Sequence, residues 1–248
     1  MAEIDYSLHY RRWHDNSDKE FLEYAKMYER LLGSHLSHLS RDATVLDYGC
    51  GSGLLVNYLL QKFKNTIGID ASKQQVDVAQ TRCLPVHLLP VNEFHAWCRN
   101  RHGQFDVIFL MDVLEHIIVD DQIDFLSQLQ DLLKPGGCLF IKVPNANSLL
   151  ASRWRYLDWT HKNAFTESSL DFVCLNASLD QPIYFDDDSS IKPNYPWLPR
   201  WGLRNYYFKQ LFRFIWKAYL WSELGPQSKE IRVGYNLLAK TTKLPDDH

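Results

Sequence analysis

The stretch Val45-Leu46-Asp47-Tyr48-Gly49-Cys50-Gly51-Ser52-Gly53 decides the fold class predicted for this chain of 248 residues. It joins a short apolar strand to a helix that begins at Leu54, which is the turn where an open α/β sheet binds its ligand. Glycines at alternate positions let the backbone approach a ligand closely. The stretch therefore predicts a ligand-binding turn in an α/β sheet.

Strands and helices alternate on both sides of this turn. Strands are predicted over 44–48, 66–70, 86–89, 105–111 and 138–143, and helices over 54–63, 72–82, 92–100 and 120–133. Ser72 and Gln75 have the spacing of a capping box at a helix start. The alternation favours a doubly wound, mostly parallel sheet.

The pattern changes at both ends of this region. A leading helix is predicted over 19–39. After Pro144 the sequence predicts a helix that is capped by Thr166 and ends near Asn176, strands over 182–185 and 233–240, and an aromatic helix over 206–221. We therefore expect an α-helical and loop insertion before the closing strand.

Two carboxylates restrict the ligand. A dinucleotide site would carry its third glycine where Leu54 stands, and Asp47 would repel a pyrophosphate but suits a cation or an amine. Asp70 ends the second strand, 17 residues after Gly53, where a carboxylate accepts from ribose hydroxyls. The combination indicates a cationic nucleoside without a phosphate tail, which describes S-adenosylmethionine.

Four motifs stand in order over about residues 40–145. They are Asp47-x-Gly49-x-Gly51-x-Gly53, Asp70, the segment from Phe105-Asp-Val-Ile to Asp112-Val-Leu-Glu-His116, and Leu133-Lys-Pro-Gly-Gly137. The set resembles the class I S-adenosylmethionine-dependent methyltransferases, above all the branch with ubiquinone-pathway O-methyltransferases and surface-glycan or sugar methyltransferases. This resemblance implies a Rossmann-like seven-stranded sheet, mostly parallel, whose last two strands form an antiparallel hairpin.

The resemblance also implies the cofactor-binding residues. The methionine part of the cofactor would lie against Asp47, Gly49, Gly51 and Gly53, and its ribose against Asp70 and Ala71. The adenine would lie near Asn92 and Glu93. The sulfonium and the adenine would both border Met111 and Asp112. The family usually carries an acid after the third strand, whereas this chain has the pair Asn92-Glu93 there.

A hydroxyl acceptor needs a base, and two histidines are candidates. His116 follows the fourth strand, and His161 lies in Asp158-x-Thr160-His161-x-x-x-Phe165-Thr166, a pattern similar to one in surface-glycan methyltransferases. Asp158 stands where it orients the ring of His161. The alternatives are a structural role for His116 beside the cofactor, and for His161 a role in capping the Thr166 helix or holding the lid.

The resemblance implies one methyltransferase domain over 1–248. Its parts are an N-terminal helical lid (1–40), a cofactor-binding core (41–145), an acceptor-binding elaboration (146–232) and a closing strand (233–240). Residues 1–150 hold 15 of the 34 aromatic residues and a net charge of −5, and residues 151–248 hold 19 and +2. Acceptor choice is therefore expected in the second part, with its tryptophans as a platform for a sugar face or an aromatic ring.

The aromatic helix 206–221 has two interpretations. Its apolar stripe either packs on the core with a basic face in solvent, or faces anionic lipid or a lipid-linked acceptor. The formal net charge of −3 and the lack of a recognised module predict no nucleic-acid partner. No signal peptide or membrane span is evident, so we expect a cytoplasmic protein, in the second interpretation peripheral at the inner membrane face.

We expect no metal site, because the five cysteines form no CxxC pair and Asp186–Asp188 reads as a solvated turn. Tyr6, Tyr10 and Trp13 are candidates to fold over the cofactor. The predicted reaction is methyl transfer to a hydroxyl of a small molecule, most simply a sugar or cell-surface glycan. The alternatives are a small aromatic or quinol acceptor, and a non-catalytic scaffold that binds S-adenosylmethionine.

Overall fold

The computed structural model describes residues 14–185 and 200–244, without the side chains of 200–205. The strands are β1 (Thr44–Tyr48), β2 (Asn65–Asp70), β3 (Val86–Leu88), β4 (Phe105–Met111), β5 (Leu133–Pro144), β6 (Ile183–Phe185) and β7 (Asn236–Thr242). The helices are α1 (Asp18–Leu36), α2 (Leu54–Leu59), α3 (Lys73–Thr81), α4 (Phe94–Cys98), α5 (Gln122–Leu132), α6 (Ala151–Leu157), α7 (Glu167–Asn176) and α8 (Arg200–Leu224). Tyr6, Tyr10, Trp13 and Asp186–Asp188 lie outside the described residues.

The seven strands form one sheet in the order β3-β2-β1-β4-β5-β7-β6. The first five strands are parallel neighbours, and β7 runs antiparallel to both β5 and β6. The prediction of a mostly parallel sheet with an antiparallel last pair is confirmed. The carboxyl ends of β1, β2 and β4 therefore meet at one edge, which is where the glycine-rich loop lies.

The leading helix is part of the core. Ser17 caps α1, its side chain accepting from the backbone N–H of Glu20. Leu32 and Leu36 of α1 are buried in one cluster with Val45 of β1 and Phe109 of β4. This packing covers one face of the sheet, and a second cluster around α5 and α7 covers the other. Both faces are apolar, as expected of parallel strands.

One local prediction is wrong. Ser72 stands at the start of α3 but its side chain makes no capping bond, and its backbone N–H, which Gln75 would accept in a capping box, donates to the Asp70 carboxylate at 2.7 Å. Between Pro144 and Thr166, where the sequence names no single element, the chain forms the helix α6. By contrast, Thr166 caps α7 as predicted, in a capping box with Ser169.

The aromatic helix α8 is present, but its apolar stripe does not pack on the core. Phe208, Leu211, Phe212, Ile215 and Tyr219 of the stripe are each about half exposed or more. Half-buried Arg213 instead lies toward the protein, 5.5 Å from the ring centre of Tyr235. The first interpretation is therefore wrong for most of the stripe. Among the described residues, no helix combines the length and apolar character that a membrane crossing requires.

Candidate functional site

The glycine-rich loop turns sharply over the edge of the sheet. The backbone N–H groups of Gly49 and Cys50 both donate to the Ile69 carbonyl, at 2.8 and 3.1 Å. Gly49 has φ +72°, and a Cβ on it would lie 2.5 Å from Cγ2 of Val113. Only glycine fits this left-handed position, so the loop stays close against the segment that follows β4.

Asp47 at the end of β1 is buried in an unsatisfied state. Its side chain is 2% exposed, and its Oδ2 atom has no hydrogen-bond partner among the described residues. Burial raises the pKa of the Asp47 carboxyl well above its usual range, and the negative charge of Asp70 raises it further. A buried carboxylate without a partner is costly, so this position favours a cationic ligand group.

Asp70 at the end of β2 holds the glycine-rich loop in place through hydrogen bonds to the backbone. Its two oxygens accept from the backbone N–H groups of Gly51 at 2.8 Å and Ser72 at 2.7 Å. Burial raises the pKa of Asp70, and these two hydrogen bonds act against that rise. Each carboxylate oxygen can accept further hydrogen bonds, so Asp70 can also receive ligand hydroxyls.

The other predicted cofactor residues follow the same edge of the sheet. Exposed Ala71 follows β2, exposed Asn92 and Glu93 form a single 3₁₀ turn after β3, and half-buried Met111 ends β4. Asp112 has the left-handed φ of +58°, and its carboxylate accepts from Nζ of Lys142 at 2.7 Å. Their roles in binding remain predictions.

The two candidate histidines are brought together. The ring centroids of His116 and His161 are 4.7 Å apart in an edge-to-face arrangement. Glu115 lies beside them, with its Oε1 atom 4.0 Å from Nε2 of His161. Because Val113 touches the glycine loop at Gly49, this cluster stands next to the loop.

Asp158 lies near both histidines, but its hydrogen bonds lead to His116. The Asp158 Oδ2 atom is 4.0 Å from Nε2 of His161, which is too far for a hydrogen bond. Oδ1 instead accepts from the hydroxyl of Thr160 at 2.6 Å, and Thr160 contacts Nδ1 of His116 at 2.8 Å. Asp158 thus acts on His116, through an i+2 side-chain bond that spacing to His161 alone does not reveal.

Three further residues of the cluster were not predicted. The Trp154 carbonyl holds Nδ1 of His161 at 3.0 Å, while Glu115 is 1% exposed and its Oε2 atom has no hydrogen-bond partner among the described residues. Burial raises the pKa of Glu115 well above its usual range, with the Asp112 charge adding to the rise, and burial lowers the pKa of His161. The acidic residue before His116 and the threonine before His161 were the available sequence signals.

A cavity of about 440 Å³ lies between α8 and the start of β7. Three of its lining residues are basic, namely Arg213, Lys217 and Arg232, and no acidic residue lines it within the described ranges. Tyr206 and Phe214 add aromatic rings to the wall. The described part of the cavity wall therefore combines basic side chains with aromatic rings.

The sequence matches a known domain family over most of this region. A family model described as "Methyltransferase domain" matches residues 16–178, which includes α1, the glycine-rich loop and the histidine cluster. The match ends within the turn after α7, so α8 and β7 lie beyond it.

Curated relatives match a shorter stretch. A ubiquinone biosynthesis O-methyltransferase of Acinetobacter baylyi is 31% identical over 110 residues, which are 42% of this chain and 44% of the relative. Its counterpart from Shewanella pealeana is 33% identical over 109 residues, with the same coverage. The chain therefore matches less than half the length of these relatives.

Solved structures share the whole architecture at low sequence identity. A SAM-dependent methyltransferase from Archaeoglobus fulgidus superposes with a TM-score of 0.65 and 16% identity, over 96% of this chain and 100% of the other. At this identity the likeness carries the fold alone.

Proposed function

The chain belongs to the methyltransferase domain family, and from that premise we propose that it transfers a methyl group from S-adenosylmethionine to an acceptor hydroxyl. S-adenosylmethionine is the cofactor of this family and of the chain. The observation that carries the proposal is the Oδ2 atom of buried Asp47, which has no hydrogen-bond partner among the described residues and so favours a cationic ligand group.

The residues present fit the cofactor. Its amine and sulfonium are positively charged and would compensate the buried negative charge of Asp47. Its ribose has two free hydroxyls, and Asp70 can accept hydrogen bonds from them while it keeps its hydrogen bond to the loop backbone. The left-handed Gly49 holds the loop close against the segment after β4, because no Cβ separates it from Val113.

The transfer itself needs little from the protein beyond position and a place for one proton. When bound, the cofactor would supply an activated methyl group on a positively charged sulfur, whose leaving group is a neutral thioether. The Trp154 carbonyl accepts only a proton-bearing Nδ1, so His161 presents an unprotonated Nε2 atom. We assign Nε2 as the group that takes the hydroxyl proton, and the lowered pKa of His161 keeps it neutral for that role.

A sugar is the acceptor that the surroundings of His161 favour. Trp159 is 94% exposed and Tyr156 77% exposed, both within the segment that carries His161. The flat faces of such rings stack on the apolar face of a sugar. The Nε1 atom of Trp154 is buried without a hydrogen-bond partner among the described residues, so it can donate to an acceptor oxygen. The basic cavity suits an acceptor that carries a phosphate, either nucleotide-linked or lipid-linked.

A quinol or catechol is the second candidate. It is supported by the names of the curated relatives, which methylate in ubiquinone biosynthesis, and by the aromatic rings Tyr206 and Phe214 in the cavity wall. The open position of Trp159 and the basic lining argue for the sugar, since a quinol is apolar and favours an enclosed pocket.

The purified chain, incubated with methyl-labelled cofactor and divalent cations, tests these assignments. We expect label in nucleotide-linked or lipid-linked sugars and none in catechols. Transfer to catechols alone would overturn the sugar acceptor, and binding of S-adenosylhomocysteine without any transfer would favour the scaffold. His161→Ala should lower kcat at least a hundredfold while the affinity for S-adenosylhomocysteine changes less than twofold. His95→Ala, an exposed histidine on α4, is the matched control.

We further propose that α8 rests on an anionic membrane surface, where a lipid-linked acceptor is presented. Phe214 is 70% exposed and Trp221 62% exposed. The sequence of α8 carries five basic residues against one acidic residue, Glu223. Exposed aromatic rings with net positive charge are typical of helices at the lipid interface.

Sedimentation with vesicles tests the membrane proposal. The chain should pellet with phosphatidylglycerol vesicles but not with phosphatidylcholine vesicles, and Phe214→Asp should weaken that binding severalfold. Phe172→Asp, at a residue that is 61% exposed but lies on α7, is the control and should bind as the parent does. Equal loss in both variants, or no binding by the parent chain, would refute the proposal.

A further inference from the structure

Three side chains that can ligate a metal ion lie together beside the carboxyl end of β4. One ligand atom from each of Glu115, His116 and His161 lies within 4.8 Å of the others. We propose that these three residues bind a divalent first-row transition-metal ion. The sequence analysis expects no metal site, and His161 stands 45 positions after His116, so only the fold brings the three residues together.

The hydrogen bonds around His116 fix its tautomer. The Thr160 hydroxyl donates to Oδ1 of Asp158 at 2.6 Å, so its single proton is already used. Nδ1 of His116, 2.8 Å from the same hydroxyl oxygen, must then be the donor in that contact. Neutral His116 therefore carries its lone pair on Nε2, which is the form that binds a metal.

His161 is set in the same way. Its Nδ1 atom lies 3.0 Å from the Trp154 carbonyl, which can only accept. Nδ1 is therefore protonated, and the lone pair of the neutral ring is on Nε2. A backbone carbonyl or carboxylate relay that holds the far nitrogen is the usual support for a metal-binding histidine. Both rings of this cluster have such support.

Glu115 supplies an independent observation. Its side chain is 1% exposed, and its Oε2 atom has no hydrogen-bond partner among the described residues. Its other oxygen, Oε1, is 4.0 Å from Nε2 of His161. A buried carboxylate is rarely left unsatisfied, and a cation between the carboxylate and the two imidazoles would satisfy it.

The residue types indicate the class of ion. Two imidazoles and one carboxylate suit zinc, manganese, iron and similar ions, whereas magnesium and calcium favour oxygen ligands alone. Ligands about 2.1 Å from a tetrahedral ion stand about 3.4 Å apart, so the side chains must close by roughly 1 Å. Asp112 and Asp158 also face the cluster, together with the cations Lys142 and Arg155. With Glu115 the carboxylates outnumber these cations, so the surroundings favour a positive ion.

Three protein ligands leave at least one coordination position open. A hydroxyl that takes this position has a lowered pKa, which eases the loss of its proton. This part rests on the proposed function, because it assigns the position to the acceptor. In that state Nε2 of His161 would hold the ion rather than take the proton, and the proton would leave to water. Binding of the ion itself does not depend on the acceptor.

Direct metal titration tests the site. The chain, freed of any tag and treated with EDTA, is titrated with Zn²⁺ and Mn²⁺ by calorimetry, and its Co²⁺ complex is measured by visible absorption. We expect one ion per chain, with affinity reduced at least tenfold in His116→Ala and in His161→Ala. Thr160→Val, which removes the hydroxyl that positions His116, should reduce affinity about tenfold and shift the cobalt bands.

The exposed His95→Ala variant is the control and should bind as the parent chain does. An affinity that is equal in the parent, His116→Ala and His161→Ala would overturn the site, as would equal loss in His95→Ala. S-adenosylhomocysteine is titrated into the same samples. If it binds while the metal does not, this inference alone fails. If the metal binds at the cluster and S-adenosylhomocysteine does not, the proposed function fails and the metal site stands.

Discussion

Asp47→Asn separates ligand binding from stability at one buried position. The carboxylate of Asp47 is 2% exposed and its Oδ2 atom has no hydrogen-bond partner among the described residues. An amide has nearly the same shape but no charge. The change therefore removes the negative charge that would attract the positive charge of the ligand, and it leaves the packing around β1 as it is.

The two expected effects have opposite signs. A hydrogen bond to a charged group contributes about 1.5–3 kcal/mol. Its loss corresponds to roughly a 10- to 150-fold weaker affinity for S-adenosylhomocysteine, since about 1.4 kcal/mol is tenfold. The raised pKa of Asp47 means that ionisation is unfavourable in the folded chain without ligand, so near neutral pH removing the charge should increase its free energy of unfolding.

Calorimetric titration with S-adenosylhomocysteine and thermal unfolding of the ligand-free chain measure the two effects. Asp77→Asn, the same replacement at an exposed residue of α3 that pairs with Lys73, is the control and should leave the affinity unchanged. Unchanged affinity in Asp47→Asn would remove this residue from the cofactor site. A lower melting temperature of the ligand-free variant would refute the argument that Asp47 is strained by burial.

Three further predictions follow from the same structure. Gly49→Ala should cost about 1–3 kcal/mol, because its Cβ would lie 2.5 Å from Val113 at a left-handed φ; chemical denaturation checks this, and a neutral result would contradict it. Leu32→Ala on α1 should lower the free energy of unfolding by about 2–5 kcal/mol, because Leu32 is buried. Leu22→Ala on the exposed side of α1 should change it by less than about 0.5 kcal/mol. Equal effects in chemical denaturation would contradict the packing of α1. The affinity for S-adenosylhomocysteine should rise as the pH increases above the ordinary carboxyl range. The raised pKa of Asp47 keeps its carboxyl group protonated at lower pH, whereas the ligand amine prefers the carboxylate. The pH profile of Asp47→Asn should be flatter, and parallel profiles of the two chains would contradict this assignment.

The cofactor half of the molecule could be predicted from the sequence because its signals are local. The strand or turn at each position is indicated by a short segment, namely the glycine-rich loop, Asp70 and the apolar run Phe105–Met111. The parallel sheet follows from the alternation of strands and helices along the chain. The predicted antiparallel pair at the sheet end also formed, with β7 placed between β5 and β6.

The histidine cluster could be predicted only in part. His116 and His161 were recognised separately, but their contact depends on how the segment after β5 returns to the end of β4. Thr160 joins Asp158 to His116, which no spacing along the chain shows. For α8 the sequence leaves two orientations open, because it does not say which side of this aromatic helix the protein covers.

The place of β7 in the sheet has a consequence for synthesis of the chain. β7 fills the gap between β5 and β6 although it follows both in the sequence. Until the ribosome has delivered residues 236–242, the edge of β5 has no partner, and an unpaired apolar strand edge invites association with other chains. We expect nascent chains arrested near residue 230 to need chaperones, and full compaction to come only when β7 enters the sheet.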